Sequence, residues 1–174
     1  MKQSGTPIVD GEAGLVGSGR RPRTYHLACY RLALVRESTV PTAWDKQVRA
    51  SEDVATFMAP MVADFDREGF WVVLLNGKNR AIGLNLVSLG ALTAALVHPR
   101  EVLKPAILGN AAAIILVHNH PSGDPAPSAE DVALTKRLCA AGDLVGIRVL
   151  DHVVIGHDGT YRSLADDGQL GGVR

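Results

Sequence analysis

Apolar residues along this chain fall into two rhythms, and the rhythm decides the element. Short, mostly apolar runs at 30–35, 70–75 and 111–117 have the length and composition of buried strands. Asn76-Gly77, directly after the second run, is a strong hairpin signal leading into a further strand over 80–88. A last strand is expected over 147–155. Helical spacing appears near 51–64, then over 99–108, where His98-Pro99 places a proline at the first helical position. It returns over 128–141, where Leu134, Leu138, Ala141 and Val145 follow the i, i+4, i+7 pattern and Gly142 stands where a helix could end. The first 22 residues are glycine-rich and aperiodic, and they read as a flexible tail ahead of one domain over 23–174. A hairpin followed by strand–helix–strand units predicts an α/β protein, with a mixed sheet between helices on both faces.

The chemistry gathers at the end of the third apolar run. His118 and His120 are two apart, so on an extended backbone both imidazoles leave the same side. Seven residues follow, three of them prolines, and they can turn the chain back over the strand end. Ser128 and Asp131 then open the next helix. Two imidazoles and a carboxylate make three protein ligands, the number that leaves a zinc ion one open tetrahedral position for water. Ser128-Ala129-Glu130-Asp131 also fits a capping box, which starts helices of every kind. A cap does not require two histidines on an adjoining strand end, however, so the group as a whole points to metal. The letters His118-Asn119-His120 echo the HNH nucleases, but that motif is spread over a longer unit.

Composition narrows the class without choosing the reaction. The 174 residues, 47% hydrophobic and 21% charged, suffice for one domain with a real core. Eighteen basic residues balance eighteen acidic ones, so no global field favours nucleic acid. Only the run Arg20, Arg21, Arg23 offers weak phosphate contacts. Cys29 and Cys139 are far apart and read as buried thiols, which with the absence of a secretory apolar core suggests a reducing cytoplasm. No stretch approaches the roughly 20 apolar residues of a membrane span. The signatures of serine hydrolases and nucleotide-binding loops are missing too.

The spacing His118-x-His120, seven residues, Ser128, two residues, Asp131 resembles that of the JAMM (MPN+/JAB) metalloproteases. The run from His118 through Pro121-Ser122-Gly123-Asp124-Pro125 and Pro127 to Ser128 is similar to the RadC branch. Pro99-Arg100-Glu101-Val102 and Asp151-His152-Val153-Val154-Ile155-Gly156 agree with that branch, and the resemblance extends from Tyr30 to Leu164. It implies an α/β/α sandwich of the cytidine-deaminase-like kind, and Zn2+ held by His118, His120 and Asp131. It also implies an upstream glutamate for the proton of the activated water, and Glu68 stands two before Phe70, as that branch's Glu-x-Phe does. Zinc lowers a bound water's pKa to about 7, yet a carboxylate must still carry the proton to the leaving group. Ser128 is implied to hydrogen-bond the oxyanion formed at a carbonyl, and the same hydroxyl could cap the helix. Glu101 is explained by the helix dipole, although the resemblance also allows it a structural role near the site. His152 reads as a hydrogen-bonded or core histidine, not a fourth ligand. His26, His98 and His157 belong to no local constellation.

Two function classes follow. The favoured one is a zinc-dependent peptidase or isopeptidase acting on a peptide or protein substrate. The other is a DNA-repair-associated accessory protein with a structural or vestigial zinc site. The longer RadC proteins carry a helix-hairpin-helix-like region ahead of the JAMM domain, and 174 residues leave no room for one, so a nucleic-acid partner is possible but not favoured. Substrate identity and oligomeric state reside in loops and partners that these motifs do not encode.

Overall fold

β1 (Gly69–Leu75) is buried at every position, as its apolar run predicts, because both of its faces are covered. Phe70, Val72 and Leu74 enter one core with Val102, Leu103 and Ala106 of α2 (Pro99–Leu108) and Leu134 and Leu138 of α3 (Ala129–Val145). Trp71, Val73 and Leu75 enter a second core with Val54, Ala55, Met58 and Val62 of α1 (Ser51–Val62). Strand alternation therefore divides the interior into two layers, and the result is the expected α/β/α arrangement around a mixed sheet. These elements belong to the computed structural model of the protein, which describes residues 34–39, 47–63, 65–90 and 97–170, all within the unit Leu32–Arg174.

The sheet has five strands in the order β2 (Ala81–Leu89), β1, β3 (Ala113–Asn119), β4 (Arg148–Ile155), β5 (Tyr161–Ser163). β1 pairs antiparallel with β2 and β3, β3 runs parallel to β4, and β5 closes antiparallel on β4. The parallel pair needs a crossover, and α3 supplies it. Among the described residues no helix is long and apolar enough to cross a membrane.

Three expectations are corrected by packing. The third strand begins at Ala113 and not at 111, since the Ala111 N–H still bonds the Ala106 carbonyl at 2.9 Å. This shift carries His118 and Asn119 into the strand proper. The helix after Ser128 does not stop at Gly142 but runs to Val145, ending at Gly146 with φ +74°, a left-handed cap that glycine adopts without strain. Val145, expected on the apolar face, is 48% exposed. Gly142 serves proximity instead: a Cβ there would lie 2.4 Å from the Ile147 carbonyl oxygen. Helix propensity alone would favour Gly142→Ala by about 0.8–1.0 kcal/mol, but relieving that overlap costs about 1–3 kcal/mol. Gly142→Ala should therefore lower the urea midpoint, and a raised midpoint would count against this reading.

The expected strand over 30–35 falls largely outside the described residues. Its last two, Leu34 and Val35, are exposed and in no regular element. The N-terminal tail, His26, Cys29, Arg20, Arg21 and Arg23 also lie outside them. β5 was not anticipated, because three residues are too few to show a period. It is fastened by Asp151, a buried carboxylate that accepts from Ser163 Oγ at 2.7 Å, Ala165 N at 3.0 Å and His152 N at 2.6 Å. Burial still raises the Asp151 pKa above the ordinary carboxylate value.

Candidate metal centre

β3 is central in the sheet, so His118 is wholly buried at its end, with Phe70 of β1 stacked alongside at 6.2 Å between ring centres. His120 follows one pleat later, where its backbone N–H still bonds the Ile155 carbonyl of β4 at 2.8 Å. The two Nε2 atoms lie 2.9 Å apart. The chain then turns through Gly123, whose φ of +92° suits glycine and whose missing side chain leaves room for the His157 ring. That turn brings the Asp124 carbonyl to 2.7 Å from His120 Nδ1. A carbonyl only accepts, so His120 carries a proton on Nδ1 and turns its Nε2 inward.

Asp131 arrives from the first turn of α3. Its Oδ1 is 3.5 Å from His118 Nε2, and its Oδ2 is 3.6 Å from His120 Nε2. Ser128 donates to Oδ2 through both its N–H (2.8 Å) and its hydroxyl (2.6 Å), while the Asp131 N–H returns a bond to Ser128 Oγ at 3.1 Å. The capping box is therefore real, and it holds the carboxylate with Oδ1 left to face His118.

His118, His120 and Asp131 form a group able to hold a metal ion. A tetrahedral ion with bonds of about 2.0–2.1 Å would space its ligands by about 3.3 Å, and the 2.9 Å between the two Nε2 atoms and the 3.5 Å from His118 Nε2 to Asp131 Oδ1 lie on either side of that figure. The electrostatics agree with a cation. Burial works to raise the Asp131 pKa, yet hydrogen bonds from His118 and His120, the charge on His118 and the Ser128 hydroxyl outweigh it and hold the carboxyl well below its usual range. His120 is raised chiefly by Asp131, against the effect of burial. The carboxylate thus draws positive charge to a largely buried point, which a divalent ion supplies without protons.

Glu68 sits at the entrance to β1 and, with His120, Ser122, Ser128, Glu130 and Asp131, lines a cavity of about 330 Å³ over the group. Asn119, pointing to the opposite face from the two histidines, sets its position. Its buried side chain accepts from Gly69 N at 2.7 Å and donates to the Arg67 carbonyl at 3.2 Å, gripping the backbone on either side of Glu68. The sequence analysis missed this role, although period-two alternation from His118 already turned Asn119 to that face. It also missed Thr135, one helical turn beyond Asp131, whose hydroxyl meets both the Asp131 carbonyl and His152, each at 2.6 Å. His152 is the buried, hydrogen-bonded histidine that was expected: its Nε2 lies 2.8 Å from His118 Nδ1. Burial, and then the neighbouring His118 charge, push its pKa well down.

The remaining candidates serve elsewhere. Glu101 is half-buried on α2 and pairs with Lys104 and Arg100. His98 caps α2 by accepting from Arg100 N at 3.3 Å, and His157 meets the Pro121 carbonyl at 3.1 Å. Cys139 is a buried free thiol on α3.

A mixed sheet between helical layers, with a His-His-Asp group at the end of a central strand, defines a domain of the JAB class. The chain belongs to the RadC-like JAB domain family, whose model matches residues 48–169. It is similar to a UPF0758 protein of Desulforudis audaxviator, 50% identical over 133 residues that make up 76% of this chain and 57% of the relative. Over 152 residues it is 41% identical to a UPF0758 protein of Methanosarcina mazei, covering 87% of this chain and 66% of the relative. The Symbiobacterium thermophilum relative is 55% identical over 119 residues, 68% of this chain and 50% of that protein. The chain thus spans about half to two thirds of the length of these relatives.

Proposed function

We propose that this domain is a zinc-dependent peptidase or isopeptidase, with His118, His120 and Asp131 as the ligands. The observation that carries the proposal is the convergence of these three side chains beneath an open cavity bordered by Glu68. Bound zinc would supply an electrophile for the scissile carbonyl and a lowered pKa for the attacking water. His118 and His120 would give the ion their Nε2 lone pairs, and Asp131 would contribute the charge. Glu68, held by the Asn119 grip, takes the proton of the attacking water and returns it to the leaving amine. Ser128 keeps the ligand carboxylate oriented. Its single proton is engaged on Asp131 Oδ2, so its larger contribution is to that ligand and not to an oxyanion. A second cavity of about 380 Å³ also borders His120, walled in part by Ala59, Pro60 and Phe65, and it gives an extended peptide room beyond the cleavage point.

One metal position with one neighbouring base suits a planar carbonyl, where a single oxyanion develops. Phosphodiester cleavage more often employs two metals about 3.5–4 Å apart. The zinc-loaded protein should therefore cleave members of a broad peptide and isopeptide library and leave single- and double-stranded DNA intact. Metal-dependent DNA cleavage that vanishes in Asp131→Ala, with no peptide cleaved, would overturn the proposal.

A further inference from the structure

His152 is fully buried on β4, and both of its ring nitrogens are engaged. It stands between two ligands that come from different elements. On one side His118 Nδ1 lies 2.8 Å from His152 Nε2, and on the other His152 Nδ1 lies 2.6 Å from Thr135 Oγ1, which lies 2.6 Å from the Asp131 carbonyl oxygen. The path therefore starts on the β3 ligand, crosses β4, and finishes on the backbone of the α3 ligand. The sheet register places His152 opposite Leu116, one pleat from His118, on the α3 side of the sheet.

Only one direction of donation satisfies the three contacts of this path. The Asp131 carbonyl has no proton, so the Thr135 hydroxyl must donate to it. A hydroxyl has one proton, and Thr135 can then only accept from His152 Nδ1–H. With its proton on Nδ1, a neutral His152 offers a bare Nε2, which accepts from His118 Nδ1–H. A neutral His118 protonated at Nδ1 has its lone pair on Nε2, the atom that faces His120 and Asp131. Run in reverse, the path fails at its last link, where two acceptors would meet at 2.6 Å.

We propose that His152 and Thr135 are positioning residues that lock His118 in its Nδ1–H tautomer, with the helix carbonyl of Asp131 setting the direction of the relay. In its consequence for zinc the proposal rests on the metal-centre reading above. The proton on His118 Nδ1 does not, because the path that holds it is complete in the protein's own atoms. Partners behind a metal-bound histidine commonly govern affinity by about 10–100-fold when removed. Here a single relay would serve two of the three ligands.

The experiment reads the tautomer directly. Long-range 1H–15N correlation spectra of the metal-free, 15N-labelled chain at mildly alkaline pH distinguish Nδ1–H from Nε2–H imidazole. Zinc affinity is measured in parallel by competition with a chromophoric chelator. His118 should appear as Nδ1–H in the unsubstituted protein and in Thr135→Ser, which keeps the hydroxyl. In Thr135→Val and His152→Leu the single tautomer should be lost and zinc bound about 10–100-fold more weakly. Thr135→Val, which nearly preserves shape, covers the case in which His152→Leu fails to fold. A fixed tautomer that Thr135→Val abolishes supports the relay even in a protein that takes up no zinc, a result that would count against the metal-centre reading alone. His118 remaining Nδ1–H in Thr135→Val, with unchanged zinc affinity, would overturn the relay.

Discussion

Glu68→Gln should leave the fold and the zinc content of the protein intact while lowering turnover by roughly 10²–10⁴-fold, the usual weight of general acid–base catalysis. Geometry separates the two effects. Glu68 lines the cavity over the metal group but is not one of the three side chains that converge. Its backbone is held independently of its carboxylate: Gly90 N donates to the Glu68 carbonyl at 2.7 Å, and Asn119 grips the residues on either side. Glutamine keeps the shape and one carbonyl oxygen but cannot accept a proton at neutral pH. The check is steady-state kinetics on a peptide selected from the library, with zinc measured on the same sample. Zinc lost together with activity would make Glu68 a ligand, and undiminished turnover would remove it from the reaction.

How much of this was legible in the sequence depends on whether one residue carried one signal. α2 was expected over 99–108 and occupies Pro99–Leu108, because Pro99 fixes the start and Gly109 follows the end without competing demands. Gly142 carried two meanings. A glycine near the end of a helical pattern signals a stop, but here it makes space for the Ile147 carbonyl while Gly146 performs the cap. Sequence spacing cannot distinguish a conformational glycine from a steric one, since the neighbour that matters belongs to the next strand.

The convergence of His118, His120 and Asp131 was readable for a stronger reason. The two-residue period of a strand and the first turn of a helix fix where His118, His120 and Asp131 point, whatever packs around them. The residues that hold these groups were less visible. Asn119 grips a segment 50 positions earlier, and the role of His152 depends on β4 lying beside β3, a pairing that no local pattern records. Glu68 was found only through family resemblance. An acidic residue at a strand entrance is ordinary, and what makes it a candidate is the cavity it shares with His120 and Asp131.

Loss of the third ligand should have the largest effect on stability, and it can be separated from loss of the helix cap. Asp131 both faces the histidines and receives two hydrogen bonds from Ser128, so Asp131→Ala removes a ligand and a capping partner together. Asp131→Asn keeps an oxygen for Ser128 and removes the charge. Zinc at about 100 times its dissociation constant stabilises a folded state by about 2.7 kcal/mol, which for a chain of this size raises Tm by about 5–11 °C. The unsubstituted protein should show that rise and hold about one zinc per chain. Both variants should show neither, and metal-free Asp131→Ala should melt below metal-free Asp131→Asn, since it alone loses the two hydrogen bonds from Ser128, each worth about 0.5–1.5 kcal/mol. Two measurements decide the matter: elemental analysis of dialysed protein, and thermal melts with and without zinc. A well-folded, zinc-supplemented protein that retains no metal and shows no rise in Tm would end the metal-centre reading. A rise in Asp131→Asn equal to that of the unsubstituted protein would place the metal on other residues.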